Sequence, residues 1–154
     1  TTNVPAVAGF GKAVEIATRD IIVNQQKIKT IRDYFVKQIT EKIPYIRVNG
    51  HPYQKVQGIV NIGFEMVDAE ALLTMLDLEG IAVSIGSACT SGVAEKSHVL
   101  QAMRVPEEFL KGSIRFSFGK NISKEDIDYT IEKLCEIVAK LRSISSATKT
   151  GRAK

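Results

Sequence analysis

Cys89 stands in the run Ser84-Ile85-Gly86-Ser87-Ala88-Cys89-Thr90-Ser91-Gly92, and the two residues on either side of it are Ser, Ala and Thr. A cysteine that packs in a core has apolar neighbours at helix or strand spacing; this one has none beyond a methyl group. The flanking glycines let the backbone bend freely. The composition predicts an exposed, mobile loop carrying a thiol, the kind of cysteine that reacts and then moves. A thiol is a useful nucleophile only as thiolate. The nearest cation in sequence is Lys96, so activation has to come from the fold or from an arriving substrate or cofactor. An inert surface thiol is the plainer alternative for an isolated loop cysteine.

Arg115 is the second candidate. In Ser113-Ile114-Arg115-Phe116-Ser117-Phe118-Gly119, strand alternation puts Ile114, Phe116 and Phe118 on one side and Ser113, Arg115 and Ser117 on the other. A guanidinium on a rigid strand grips a carboxylate through two parallel hydrogen bonds. On alternation alone an ordinary salt bridge is the commoner reading. Thr1 precedes a predicted helix, where a hydroxyl can meet phosphate; otherwise it is a frayed terminus. His51 lies in a Gly-His-Pro turn and reads as solvated. His98 is a candidate for acid–base work by residue type, while Cys135 reads as a small core hydrophobe and Glu107 and Glu108 as a helix first turn. Asn61, in Val60-Asn61-Ile62, stands out without an evident role.

The elements that must position these residues follow from periodicity. Val7, Phe10, Val14, Ala17 and Ile21 step by three or four, as do Ile28, Ile31, Phe35 and Ile39, which predicts one long helix, or two in tandem kinked near Asn24. Asn3 and Pro5 suit its start, and Pro44 its end. A short strand is predicted over Tyr45 to Val48, followed by the turn residues Asn49, Gly50 and Pro52. Val60, Ile62 and Phe64 alternate as a strand. Asp68 caps a helix with Leu72, Met75 and Leu76, stopped by Gly80. A brief strand over Ile81 to Val83 leads into the Cys89 loop, a helix spans Ser97 to Met103, and a strand Ser113 to Phe118. Ser123-Lys124-Glu125-Asp126 reads as a capping box, opening a helix that buries Ile127, Ile131, Leu134, Val138 and Leu141. The tail from Ser145 reads as frayed. The interleaving predicts an α/β two-layer sandwich with a small mixed or antiparallel sheet and a long N-terminal helical arm.

The chain has 154 residues, 44% hydrophobic and 25% charged, with a net charge of +4. That suits one domain of an ordinary globular protein, and the charge is too mild to argue for nucleic acid. Two cysteines at unrelated positions make neither a disulfide framework nor a metal pair. No metal site and no membrane partner is expected, and reducing cytoplasm is the expected compartment. The chain opens on Thr1-Thr2-Asn3, which gives the expectation of a piece of something longer, its helical arm packing on a region that is absent.

The Cys89 run resembles the active-site loop of the NifS/IscS-type cysteine desulfurases, which reads SSGSACTS, and Ser113 to Gly119 is similar to that family's SIRFSxG without departure. The likeness covers Thr1 to about Ser143. Ile85 replaces a common Ser, and Lys96 stands where Pro is usual. Seven residues separate Cys89 from Ser97, as in the long-loop group. The resemblance implies the small C-terminal domain of a fold-type-I pyridoxal phosphate enzyme and homodimer. Residues 1-43 would be the arm from an absent large domain, 44-144 the small α/β domain, and 145-154 a disordered tail. It implies that Cys89 takes sulfur from L-cysteine as a persulfide, releasing L-alanine. Arg115 would hold the substrate carboxylate, and Thr1 would reach the pyridoxal phosphate of a partner subunit. The sulfur would pass to an acceptor such as an iron–sulfur scaffold or a tRNA-thiolation protein. The Schiff-base lysine is expected outside this chain, since no Ser-x-His-Lys segment occurs in it, and the piece alone is expected not to catalyse. Two other readings stay open: a stand-alone sulfur-carrier or scaffold-binding module, and a piece of a selenocysteine lyase.

Overall fold

The computed structural model describes residues 1–85 and 97–151. Residues 86–96, with Cys89 and the loop expected around it, lie outside the described residues, as does the end of the tail.

Helix α1 spans Val4–Lys42. Asn3 starts it by accepting the Ala6 amide on its side chain at 3.2 Å, and Pro5 occupies the first turn, where no helical N–H is needed. The helix ends at Ile43, ahead of Pro44, because the residue before a proline is pushed out of the helical region. Of the two expectations, tandem or single, α1 is single and does not break at Asn24. The sequence holds no glycine or proline between Lys12 and Lys42, and one asparagine costs too little helix propensity to interrupt such a run.

Four strands follow: β1 Ile46–Asn49, β2 Ile59–Phe64, β3 Ser84–Ile85 and β4 Ser113–Ser117. They lie in the order β1-β2-β4-β3, and every pairing is antiparallel. That removes the mixed alternative. The brief strand expected over Ile81 to Val83 sits later, at Ser84–Ile85. The Ile81 amide still bonds back to Leu76 O at 2.9 Å, so the chain is leaving helix α2 (Ala69–Leu78) and meets β4 only from Ser84 on. Asp68 caps α2 through the Ala71 amide at 3.0 Å, and Gly80 turns the chain out with φ +75°, a conformation glycine adopts without penalty.

One face of the sheet is apolar and covered. Val60, Ile62, Phe64, Ile114 and Phe116 are buried there, against α1, α2 and the last helix, α5 (Lys124–Gly151). Phe35 of α1 sits 4.9 Å, ring to ring, from Phe116 and 5.3 Å from Phe118. Helix α5 starts on the capping box: the Ser123 amide donates to Asp126 Oδ2 at 2.8 Å, and the Asp126 amide to Ser123 Oγ at 3.1 Å. It continues to Gly151, past Ser145, where composition alone suggests fraying.

The other face is crossed by two short helices, α3 (His98–Ala102) and α4 (Glu107–Leu110). A Cβ on Gly63 would lie 2.7 Å from Phe109 Cβ, so α4 rests directly on β2 where only a glycine leaves room. Among the described residues no helix is long and apolar enough to cross a membrane. The first half of α1 meets none of the core: Val4, Val7, Phe10 and Val14 are exposed, Phe10 by 73%. Packing on the core begins at Ile28.

Candidate functional site

Register builds the site. Asn49 of β1 pairs with Asn61 of β2, Asn61 with Arg115 of β4, and Arg115 with Ser84 of β3. Directly paired residues share a face, so these four form one polar row across the open face. The next row, Val48, Ile62, Ile114 and Ile85, points the other way. Asn49, Asn61 and Arg115 line a cleft of ≈ 410 Å³ whose far wall is Val99, Leu100 and Met103 of the α3 segment. Lys55 adds a second cation to its lining.

Arg115 is free to act in that cleft. Its Nε is buried and has no hydrogen-bond partner, and none of the ion pairs among the described residues includes it. Arg32 shows what a structural arginine looks like in the same protein. It is 3% exposed and fully engaged, with Nε and Nη2 on Asp33 Oδ1 at 2.9 and 2.6 Å and Nη1 on Gln57 Oε1 at 2.8 Å. Among the described residues, no ordinary salt bridge accounts for Arg115. A buried guanidinium donor without an acceptor costs free energy until an acceptor arrives, and the planar fork matches a carboxylate.

The remaining sequence candidates do not converge there. Thr1 is exposed ahead of α1. At 1.5 Å per residue, Val4 lies about 45 Å along the helix axis from Phe35, which packs beside Arg115's neighbour Phe116. Thr1 and Arg115 are thus not brought together within one chain. Cys89 lies outside the described residues; β3, which leads to it, ends at Ile85 beside Arg115's strand. His51 is not merely solvated: its Nδ1 accepts the amides of Tyr53 and Gln54 at 3.2 and 2.9 Å and so shapes the turn before Lys55. His98 opens α3 and is exposed. Cys135 is half-buried, and burial pushes its thiol above the usual range, which suits packing and not nucleophilicity. Glu107 and Glu108 are the first turn of α4.

Asn49 was legible only as a turn residue, and Asn61 had no role. A signal was present: asparagine is depleted in strands, yet one interrupts Val60-Asn61-Ile62 at its centre.

The orphaned donor also bears on pyridoxal phosphate. Arg115 Nε in a cleft fits the carboxylate of an amino acid held on such a cofactor, and a threonine hydroxyl ahead of a helix fits a phosphate oxygen. The donor types present are therefore compatible with the substrate and phosphate ends of the group.

Comparison with known proteins gives the same direction. The aminotransferase class-V family model matches residues 1–130. The chain is 43% identical over 148 residues to the cysteine desulfurase IscS of Methanosarcina thermophila, covering 96% of this chain and 36% of that protein. It is 41% identical to the cysteine desulfurase IscS of Dictyoglomus turgidum, covering 94% and 37%. Among solved structures, a NifS-like protein from Rickettsia africae superposes with a TM-score of 0.76 at 35% identity, covering 89% of this chain and 35% of that one. The chain thus spans little more than a third of the length of these relatives.

Proposed function

Since the chain belongs to the aminotransferase class-V family, we propose that it is the small domain of a pyridoxal phosphate-dependent cysteine desulfurase, which takes sulfur from L-cysteine and releases L-alanine. The single observation that carries this reading is the buried, unpartnered Nε of Arg115 on the open face of the sheet. It supplies the carboxylate anchor that an amino-acid substrate needs. Its strand neighbour is β3, and Cys89 follows Ile85 by four positions, a span of at most about 14 Å.

In this mechanism Arg115 fixes the substrate by two hydrogen bonds to its carboxylate, which orients the rest of the molecule on a rigid strand. Pyridoxal phosphate, when bound, supplies the electron sink for carbanion chemistry. The α3 wall of Val99, Leu100 and Met103 narrows the water-filled volume next to the guanidinium and so strengthens its hold. Cys89, as thiolate, attacks the substrate sulfur. The Cys89–sulfur bond forms and the substrate's carbon–sulfur bond breaks. The electron pair of that bond stays with the three-carbon skeleton, which takes up a proton and leaves as alanine. The product on this chain is a Cys89 persulfide.

Thr1 and the exposed front half of α1 belong to the other side of the assembly. Their distance from Arg115 supports Thr1 serving the phosphate of a second copy in a homodimer. The Schiff-base lysine comes from a large domain outside this sequence. The persulfide sulfur goes to an acceptor protein such as an iron–sulfur scaffold, in a cytoplasm reducing enough to keep Cys89 free.

The test uses the full-length protein that carries this chain, loaded with pyridoxal phosphate. Incubation with less than one equivalent of L-cysteine per site, without added reductant, is expected to give alanine, and mass spectrometry of the Cys89 peptide an added sulfur in equal amount. Alanine formation without sulfur on Cys89, or no alanine at all, overturns the assignment.

A further inference from the structure

The polar row holds more than one donor. Asn49 Nδ2 donates to Asn61 Oδ1 at 2.7 Å. That bond takes up one of the two lone pairs of the Asn61 oxygen and sets its amide with the oxygen, not the N–H groups, on the Asn49 side, while Asn49 Oδ1 stays buried without a partner. On its other side, across an antiparallel pair, stands Arg115, whose Nε is buried and unpartnered and which carries no acceptor atom. Asn61 and Arg115 both line the cleft, with side-chain origins about 5 Å apart as direct cross-strand neighbours. Two adjacent donor groups suit a ligand that offers several acceptor sites. A carboxylate does so, with two oxygens and about four lone-pair sites. A carboxamide offers fewer, with one oxygen in place of two.

We propose that Asn61 is a second contact for the substrate's carboxylate and determines specificity for it, and that Asn49 is the positioning residue that keeps the Asn61 amide in the donating sense. This rests on the reading of Arg115 as the carboxylate anchor. Arg115 supplies the charge and Asn61 the discrimination between an acid and its amide. Asn49 acts through Asn61 and does not touch substrate.

Two isosteric substitutions separate these roles. Asn61→Asp replaces the donor by an acceptor that competes for Arg115. Asn49→Asp leaves Asn61 intact but can no longer donate to its carbonyl, so the Asn61 amide turns round to donate to the new carboxylate and aims its oxygen at the cleft. In the full-length enzyme, KM and kcat are measured for L-cysteine and for L-cysteinamide, alongside Arg115→Ala. A hydrogen bond to a charged group lost at this site raises KM for L-cysteine about tenfold or more. Each asparagine variant is expected to show that rise with a smaller change in kcat, and to narrow the preference for cysteine over cysteinamide by a similar factor. Asn49→Asp added to Asn61→Ala is expected to do no further harm, because its effect runs through Asn61. If both aspartate variants keep the acid-over-amide preference while Arg115→Ala loses it, Asn61 and Asn49 are only structural and this inference falls alone. If Arg115→Ala keeps the preference as well, the carboxylate anchor itself is wrong and both readings fall together.

Discussion

The covered face of the sheet carries Val60, Ile62 and Phe64 of β2 and Ile114 and Phe116 of β4, all buried, whereas the open face carries Asn49, Asn61, Arg115 and Ser84, one from each strand. Neighbouring residues in one strand thus do opposite work. Ile114 and Phe116 gain by leaving water. Arg115 between them is held by their burial, while its own Nε goes without a partner. An asparagine in the interior of β2 and another at the end of β1 are a poor choice for pairing, and an arginine without a carboxylate is a poor choice for stability. The helix-packed face makes both tolerable. Stability concentrated on one side leaves the other free to hold unpaired polar groups for a ligand, which is how functional sites commonly violate local rules.

The division can be broken at three points. The largest effect belongs to Cys89: Cys89→Ser in the full-length enzyme is expected to abolish sulfur transfer, with pyridoxal phosphate still bound and the melting temperature unchanged. Sulfide production near the native rate would remove the nucleophile. Next come the sequence neighbours Phe116 and Arg115. Phe116→Ala empties the space against Phe35 and is expected to cost about 3–5 kcal/mol of unfolding free energy by urea titration. Arg115→Ala is expected to leave the urea midpoint nearly where it was and to weaken substrate binding by about 1.5–3 kcal/mol, roughly tenfold to a hundredfold in KM. Lysine at that position restores part of the loss, since it brings the charge without the planar fork. A large stability loss in Arg115→Ala would mean that the two faces are not separable in this way.

Much of this arrangement was legible in the sequence because it depends on short-range periodicity. The alternation in Ser113 to Phe118 separated Arg115 from the core residues, and Ser123 to Asp126 announced the start of α5. The Ser113-to-Gly119 string carried the family resemblance. What the sequence did not yield depends on strand order. Asn49, Asn61 and Arg115 are 12 and 54 residues apart along the chain, and they form a row only because β2 lies between β1 and β4. No local pattern encodes that neighbourhood. Nor does periodicity tell which half of α1 is packed: Val7, Phe10 and Val14 repeat as regularly as Ile28, Ile31 and Phe35, yet only the second set meets this core.

The smallest effect tests the division from its stable side. The capping box at the start of α5 lies far from the cleft lining, and it ties a core-packing helix to its first turn. Ser123→Ala removes the hydroxyl that accepts the Asp126 amide and is expected to cost about 1 kcal/mol. Asp126 gives the same cap a pH signature. The Ser123 backbone N–H, and next its hydroxyl, hold the Asp126 carboxyl below its ordinary value of 3.8. A carboxyl whose pKa is lower folded than unfolded binds fewer protons in the folded state, so its stabilisation is complete above the unfolded pKa and fades as pH falls through the folded one. Asp126→Ala should therefore lie below the native protein in urea midpoint at neutral pH. The gap should close on acidification below about pH 4. Because α5 serves only the covered face, KM for L-cysteine at neutral pH should be the same in both proteins. A pH-independent gap would show that the box does not act through the Asp126 charge, and a shifted KM would show that the two faces communicate through α5.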